Sequence, residues 1–335
     1  MNKRNGVDQV NKRMSFWQRN DTSGGYLLRK TIKKYCIIVL RTILLFGLCF
    51  LILQPILNKI SVSFMAEKDL YDSTVISIPK NFTNYNYQLS TMLLSYWKAL
   101  GNTLWVSTAV SVLQVSMCTL VAYGFARFEF PLKKFWFFCV ILIIVIPPQV
   151  ISTSLYLNFR FFDIFGIIKA VNGSSINLRG SAIPYFLMCL GCMGLKDGLY
   201  IFMLRQCFRG IPKELEEAAY VDGCGVFKTF LRIMLPDCKA VITSCFLFSF
   251  VWQWTDVFYS RMFLGKITLL AGQLSSLGDR LGKYMSLTLG TPATQGFMQC
   301  IISTGTLMTI LPLILLYIIA QRGFVESLSQ TGIKM

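Results

Sequence analysis

The longest apolar segment limits what this chain can fold into more than any other feature. Residues 35–57 contain one charged side chain, Arg41, and few other polar groups. A helix crosses the roughly 30 Å hydrocarbon core of a bilayer with about 20 apolar residues, so this segment is long enough to span it. Hydrophobic residues make up 54% of the whole chain. The sequence therefore predicts an integral membrane protein whose main solvent is lipid.

Six segments of this kind are predicted to cross the membrane, which makes the chain an all-α polytopic protein with six transmembrane helices. Span 3 contains Pro147 and Pro148. Adjacent prolines remove backbone donors, so we expect span 3 to be kinked or unwound there. Numbered in chain order, spans 1 to 6 cover residues 35–57, 103–125, 135–157, 182–206, 240–263 and 300–320.

The distribution of basic residues predicts the orientation. The chain has 33 Lys and Arg against 16 Asp and Glu, a net charge of +17. With both termini inside, 20 of the basic residues fall in cytoplasmic segments and 10 in external ones. The positive-inside rule therefore places both termini in the cytoplasm. The predicted organisation is a basic N-terminal tail (1–34), a first span (35–57), an external segment (58–98), a core with five spans (99–320) and a C-terminal tail (321–335).

Several classes of protein are disfavoured by the composition. The basic residues lie beside apolar runs, which argues against nucleic-acid binding. The chain has no His, so His-dependent catalytic sites and the commonest metal ligand are missing. None of the 11 Cys lies in a predicted external segment, and no disulfide framework is expected. The first apolar run is too long for a cleaved signal peptide and should stay as an anchor.

The polar connection between spans 4 and 5, residues 207–238, is long enough to need a structure of its own. Pro212 suits the first turn of a helix, and Gly223 can take the left-handed conformation that ends it. A second helix is expected over residues 225–235, stopped by Pro236. The small side chains of Ala218 and Ala219 would allow close approach of another backbone. The pattern fits docking into a groove on another protein, and it equally fits a hairpin packed on the chain's own helices.

The spacing of this connection resembles the EAA loop of ATP-binding-cassette (ABC) importer permeases. Glu217-Ala218-Ala219 is followed at the family spacing by Gly223 and then by Ile233-x-Leu235-Pro236. The resemblance is to the carbohydrate-type group, which includes the smaller maltose permease subunit, and it covers roughly residues 78–335. It implies the type I ABC-importer permease fold. Supporting motifs begin at Asn102, Ala122, Pro147, Phe202, Arg205, Trp254, Gln321 and Gly332.

The resemblance also implies a function and partners. In that family the loop is the coupling helix, seated in a cleft of a separate ATPase that binds ATP and magnesium. Implied partners are a second permease subunit, two ATPase subunits and an extracytoplasmic solute-binding protein, in the cytoplasmic membrane. The solute would be a sugar or oligosaccharide. The residues implied to carry the coupling contact are Glu217, Ala218, Ala219, Asp222, Gly223, Ile233, Leu235 and Pro236.

This chain is not expected to hold ATP, another cofactor or a metal itself, and no catalytic residues are assigned. The string from Gly278 to Tyr284 is one residue short of a phosphate-binding loop and lacks its Ser or Thr. An ATP-independent channel or secondary carrier, and an importer for a non-sugar solute, stay open as alternatives.

Two pairs of residues are candidates for the translocation path. Lys196 and Asp197 lie inside span 4, where charged residues are functional candidates by default. Trp254 and Asp256 lie in span 5 and offer a ring for stacking and an acceptor for hydroxyl groups. The alternatives are a kink that faces protein and headgroup water for the first pair, and packing between subunits for the second. Thr255 stands where the family usually has Asn, which leaves the role of Asp256 open.

Overall fold

The structure, a computed structural model, describes residues 20–21, 24–164 and 166–332, apart from the side chains of residues 172 and 322–332. Over these residues the backbone is helical, with β-pairing only in isolated bridges. The all-α prediction is confirmed. The chain divides into two units, Met1–Ser61 and Val62–Met335.

Helix α1 (Tyr26–Phe64) is longer than the predicted span 1 at both ends. Residues 26–34, which were assigned to the basic tail, are helical. Lys and Arg end the apolar run here without ending the helix, because both are good helix formers. The rest of that tail, residues 1–19 and 22–23, lies outside the described residues. The apolar side chains of α1 are exposed, as for Phe46 at 75%, which suits contact with lipid.

The second unit contains the remaining helices. Before the predicted coupling loop they are α2 (Tyr85–Leu94), α3 (Tyr96–Arg127), α4 (Lys133–Val145), α5 (Pro148–Arg160), α6 (Ile167–Asn172), α7 (Ile183–Leu190) and α8 (Asp197–Gly210). The loop and the region after it contain α9 (Lys213–Val221), α10 (Val226–Thr229), a π-helical turn (Phe230–Met234), α11 (Leu235–Asp237), α12 (Lys239–Thr255), α13 (Phe258–Phe263), α14 (Leu270–Ser275), α15 (Leu277–Thr288) and α16 (Gln295–Gly332).

Among the described residues, three helices are each long and apolar enough to cross a membrane: α1, α3 and α16. Two bent pairs qualify if each pair is counted as one span. The first is α4 with α5, bent by 102° at the Pro147-Pro148 break, which confirms the kink predicted for span 3. The second joins α10–α11 to α12 at 78°. By length and composition the described chain thus has three to five spans, and the count of six stays a prediction.

Helix α3 organises the interior of the second unit. The C-terminal half of α3 contributes Cys118 and Tyr123 to a cluster with residues of α8 such as Tyr200 and Phe208. Its N-terminal half packs against α7, α5 and α13. A third cluster joins α2, α3, α12 and α14 to α16. Because every cluster includes residues of α3 or the helices beside it, movement of α3 has to be accommodated throughout the unit.

Several segments predicted to be irregular are helical instead. Residues 264–298 were expected to form a loop but contain α14 and α15, whose Leu270, Leu277 and Leu281 are fully buried. Short helices of this kind are stabilised by packing, which no local pattern shows. The predicted C-terminal tail begins inside α16, whose backbone continues to Gly332, and residues 333–335 are outside the described part. The Gly278–Tyr284 string lies within α15.

Candidate coupling loop and intramembrane polar residues

The predicted coupling helix is present as α9, which begins directly after Pro212. It ends with Gly223 in the left-handed region at φ +79°, as predicted. The N–H of Cys224 donates to the Ala219 carbonyl at 2.9 Å and that of Gly223 to the Tyr220 carbonyl at 3.0 Å. These bonds satisfy carbonyls that the end of a helix otherwise leaves without a partner.

The second helix of the loop differs from the prediction. It was expected over residues 225–235, with Pro236 as its stop. The structure has α10, a π-helical turn and α11, and Pro236 is the second residue of α11. A regular α-helix would bring the Pro236 ring against the Arg232 carbonyl. The π-helical turn includes Arg232 and so replaces the regular helix where this clash would occur. Leu235 packs on the cluster formed by residues of α3 and α8. Ile233 is half-buried and Pro236 is exposed.

The face of α9 that is free for a partner is narrower than the sequence suggested. Glu217, Ala218, Asp222 and Gly223 are exposed, whereas Ala219 is only 4% exposed and packs inward. The sequence placed both alanines on one docking face. A step of one residue turns an α-helix by about 100°, so adjacent residues look in different directions, and only Ala218 is available to another protein.

Glu216 holds the inner face of α9, a role that the sequence analysis missed. Its carboxylate pairs with the Arg127 guanidinium, Nε to Oε2 at 2.9 Å, and accepts a hydrogen bond from the Tyr123 hydroxyl at 2.9 Å. Arg127 also donates from Nη2 to the Ile211 carbonyl at 2.7 Å. The Tyr123 ring lies edge-on to Phe208 at 5.6 Å.

The two ends of the loop are joined covalently. Cys207 near the end of α8 forms a disulfide with Cys238, just before α12, and their Cα atoms lie 6.1 Å apart. No disulfide framework was expected, and the structure corrects that expectation at this pair. The reason is tertiary: the loop folds back on itself, so two cysteines 31 positions apart in sequence become neighbours.

Span 4 was expected to be one continuous helix over residues 182–206, and this is wrong. Helix α7 ends at Leu190 and α8 begins at Asp197, with Cys192 and Lys196 in the left-handed region between them. A regular α-helix does not admit such residues, because the left-handed conformation brings the Cβ atom close to the following carbonyl. The glycines around the charged pair mark this break.

Asp197 points into the protein at the break. Its side chain is fully buried and accepts hydrogen bonds from the Gln114 side-chain amide and, at 2.5 Å, from the Gly194 N–H. Gln114 also donates to the Leu195 carbonyl at 2.8 Å and accepts from the Ser249 hydroxyl. A buried carboxylate of this kind fixes the unwound segment between α3 and α12.

Lys196 points away from Asp197, because the two adjacent residues have different backbone conformations at the break in the helix. Its ammonium group lies 5.1 Å from the centre of the Trp252 ring on α12. Lys196 is half-buried, and Trp252 is 45% exposed. The structure therefore does not bring Lys196 and Asp197 into one contact.

Trp254 and Asp256 are engaged in the interior. Trp254 is 1% exposed and donates from Nε1 to the Thr309 carbonyl at 3.2 Å. Asp256 interrupts the predicted span 5 and caps α13, accepting the Ser260 N–H at 2.8 Å and the Tyr185 hydroxyl at 2.6 Å. The end of α12 at this residue is a correction to the continuous helix predicted over residues 240–263. In this conformation neither side chain is open to a passing solute.

These features define a class: a helical membrane protein with a structured loop that exposes one face of a short helix. Residues 118–327 match the family model of the binding-protein-dependent transport system inner membrane component. The chain belongs to this family. It is the permease component of a binding-protein-dependent ABC importer, and not the ATPase component.

Similar proteins agree with this family. The chain is 27% identical over 291 residues to the arabinooligosaccharides transport system permease protein AraQ of Halalkalibacterium halodurans, covering 86% of this chain and 93% of that protein. It is 26% identical to the melibiose/raffinose/stachyose import permease protein MelC of Bacillus subtilis, covering 84% and 91%. The fold matches a bacterial ABC transporter involved in the import of the acidic polysaccharide alginate, with a TM-score of 0.67 at 18% identity, over 87% of this chain and 97% of that one. The type I importer permease fold is thereby confirmed.

Proposed function

We propose that this permease imports a sugar or oligosaccharide and that α9 docks into a separate ATPase. The sugar class is supported by relatives named as permeases for arabinooligosaccharides and for melibiose, raffinose and stachyose. A non-sugar solute is the second candidate, because a relative from Yersinia enterocolitica is named as an sn-glycerol-3-phosphate permease.

One observation carries the coupling role. The inner face of α9 is fixed to α3 by Glu216, while Glu217, Ala218, Asp222 and Gly223 on its other side are exposed. A helix that only packed on its own bundle would not need a buried ion pair to orient a small-residue face towards solvent. Ala219 packs inward behind this face, Leu235 packs on the cluster of α3 and α8 residues, Ile233 is half-buried, and Pro236 is exposed at the end of the loop.

The complex proposed around this chain contains a second permease subunit, two ATPase subunits and an extracytoplasmic solute-binding protein. ATP and magnesium would be held by the ATPase subunits, with no ATP, cofactor or metal site on this chain. The proposed topology has six spans with both termini inside. On this basis Ser73 lies outside and Lys228 inside, and both positions are exposed in the structure.

The orientation is tested by single cysteines in a Cys-free background. A cysteine at Ser73 should react with a membrane-impermeant thiol reagent in intact cells, and one at Lys228 should react only after permeabilisation. Labelling at Lys228 alone in intact cells would reverse the proposed orientation.

The importer function is tested by purifying the chain from its own membranes. An ATPase and a second permease should co-purify, and a sugar presented with the binding protein should stimulate ATP hydrolysis. The purified chain alone in liposomes should transport nothing. Solute uptake by the single chain without an ATPase would favour a channel or secondary carrier instead.

A further inference from the structure

Lys196 and Trp252 form an exposed pair where the break in span 4 meets α12. Lys196 is the residue directly before α8, and its ammonium group lies over the Trp252 ring at 5.1 Å. The Trp252 side chain is 45% exposed, whereas Trp254, two residues further along α12, is 1% exposed. The aromatic ring that this part of α12 presents to its surroundings is therefore Trp252.

In the proposed six-span topology the pair lies deep in the membrane. Helix α8 (Asp197–Gly210) precedes the loop, and α12 (Lys239–Thr255), which contains Trp252, follows it. At 1.5 Å per residue, both paths place the pair about 20 Å from the loop end of these helices. That distance is well inside a hydrocarbon core about 30 Å thick.

The charge of Lys196 has no anionic partner within the part of the chain that the structure describes. The ion pairs found there join Lys80 to Asp72, Arg127 to Glu216 and Lys133 to Glu129. The neighbouring Asp197 is turned inward to Gln114 and Gly194, and Asp256 caps α13.

An unpaired ammonium group facing lipid at this depth costs several kcal/mol, so such groups face water or a partner instead. The Trp252 ring alone gives a partly exposed ammonium roughly 0.5–1 kcal/mol, which is too little to offset that cost. The surface that carries Lys196 and Trp252 must therefore face water or an anionic partner in the working complex, and a solute with an anionic group arrives through water. In a permease, a wetted surface at this depth belongs to the solute pathway.

We propose that Lys196 and Trp252 form a solute-contact site in the translocation path, selective for a sugar that carries a carboxylate or another anionic group. The inference rests on the proposed importer function. The Trp252 ring offers an apolar face to the sugar, and the Lys196 ammonium offers a positive charge to its anionic group. Small-molecule sites usually combine aromatic side chains with a few polar groups in this way.

Accessibility and charge are tested on the complete complex with Thr255→Cys as the single cysteine, because Thr255 is exposed about one turn beyond Trp252 on α12 and its replacement keeps both residues of the site. Two thiol reagents of equal size are compared, one anionic and one cationic. The cysteine should react with both, and the ratio of anionic to cationic rates should fall about threefold to tenfold in Lys196→Gln, as expected for the loss of one nearby charge. Lys196→Arg is the matched control and should keep the ratio. Phe46→Cys, an exposed apolar position of α1, should stay unreactive.

Selectivity is tested by protection of the same cysteine. Trigalacturonate should slow the labelling, the neutral trisaccharide galactotriose should not, and the difference should vanish in Lys196→Gln. An unreactive cysteine at position 255, a rate ratio that does not change in Lys196→Gln, or equal protection by the two sugars would each overturn the proposal, and so would the absence of protection by either. ATP hydrolysis by the same preparations distinguishes failure of the contact site from failure of the importer function. If hydrolysis is still coupled to transport, only the contact site is wrong. If it is not coupled, the importer function fails.

Discussion

Arg127 at the inner end of α3 and Glu216 in α9 form a buried ion pair, Nε to Oε2 at 2.9 Å, with side chains 6% and 8% exposed. The pair links the central helix of the permease to the helix proposed to bind the ATPase. Because α3 packs against α8, α7 and α12, a displacement of α9 reaches the membrane helices through this contact. In the proposed complex, the pair would connect ATP-driven movement of α9 to the membrane helices.

Glu216→Gln should disturb this link strongly. It leaves the Arg127 charge buried without its partner, and breaking a buried pair in this way costs about 3–5 kcal/mol. We expect a lower thermal unfolding temperature of the purified complex and loss of solute-stimulated ATP hydrolysis. Glu217→Gln, on the exposed side of α9, is the control and should change stability by less than about 0.5 kcal/mol.

A double variant separates charge from position. Replacing Arg127 and Glu216 together with Met and Leu removes both charges and should recover much of the lost stability. A Glu216→Gln complex with unchanged stability and coupling would show that the ion pair has no role.

The two alanines of α9 should behave differently. Ala218→Trp adds bulk on the exposed face, so we expect normal stability of the permease but weak retention of the ATPase. Ala219→Trp adds bulk where the side chain is 4% exposed, and overpacking should destabilise the permease by about 1–3 kcal/mol. Unfolding temperature and ATPase retention are measured on both. Full ATPase binding by Ala218→Trp would argue that this face is not the docking surface.

Gly223→Val should act through the backbone, in addition to any bulk that it adds on the exposed face of α9. A Cβ at Gly223 would meet nothing within 4 Å, but φ is +79°. The left-handed conformation costs a residue with a side chain about 1–2 kcal/mol, and a β-branched residue is disfavoured further. We expect reduced coupling, with Gly223→Asn closer to the native protein. Gly225→Ala is the control, because Gly225 also has open space but no positive φ. Equal effects at 223 and 225 would contradict this explanation.

The Cys207–Cys238 disulfide joins the two ends of the loop, so it should hold the chain together when the loop is cleaved. A recognition sequence for a site-specific protease, inserted at the exposed Lys228, should be cut once, and the two fragments should stay linked on a denaturing gel until they are reduced. Cys207→Ser should give separate fragments without reduction and should lower stability by about 2–4 kcal/mol. Cys224→Ser, a free cysteine within the loop, should change neither. Fragments that separate without reductant in the native protein would show that the bond does not form.

Local features of the fold could be predicted from single stretches of sequence. The long apolar runs required membrane helices, because an unsatisfied backbone is too costly in lipid. Pro147 and Pro148 required a break, and Gly223 allowed a left-handed helix end; both features are present. The spacing of the EAA loop was sufficient to indicate the family.

The faces of the helices could not be predicted in the same way. In a membrane protein both the lipid-facing and the protein-facing sides of a helix are apolar, so hydrophobic periodicity does not tell one from the other. Trp252 and Trp254 illustrate this, since two similar residues in one helix have opposite exposure.

The sequence by itself determined that this chain is a helical membrane protein, because length and apolarity decide that property, and the spacing of its loop resembled that of the permease family to which it belongs. Only the tertiary structure decided that Glu216 faces inward, that Ala218 and Ala219 differ, and that Lys196 and Asp197 point apart. Each of these depends on which distant helix packs against the residue. That is set by the summed packing of the whole unit and not by any local pattern.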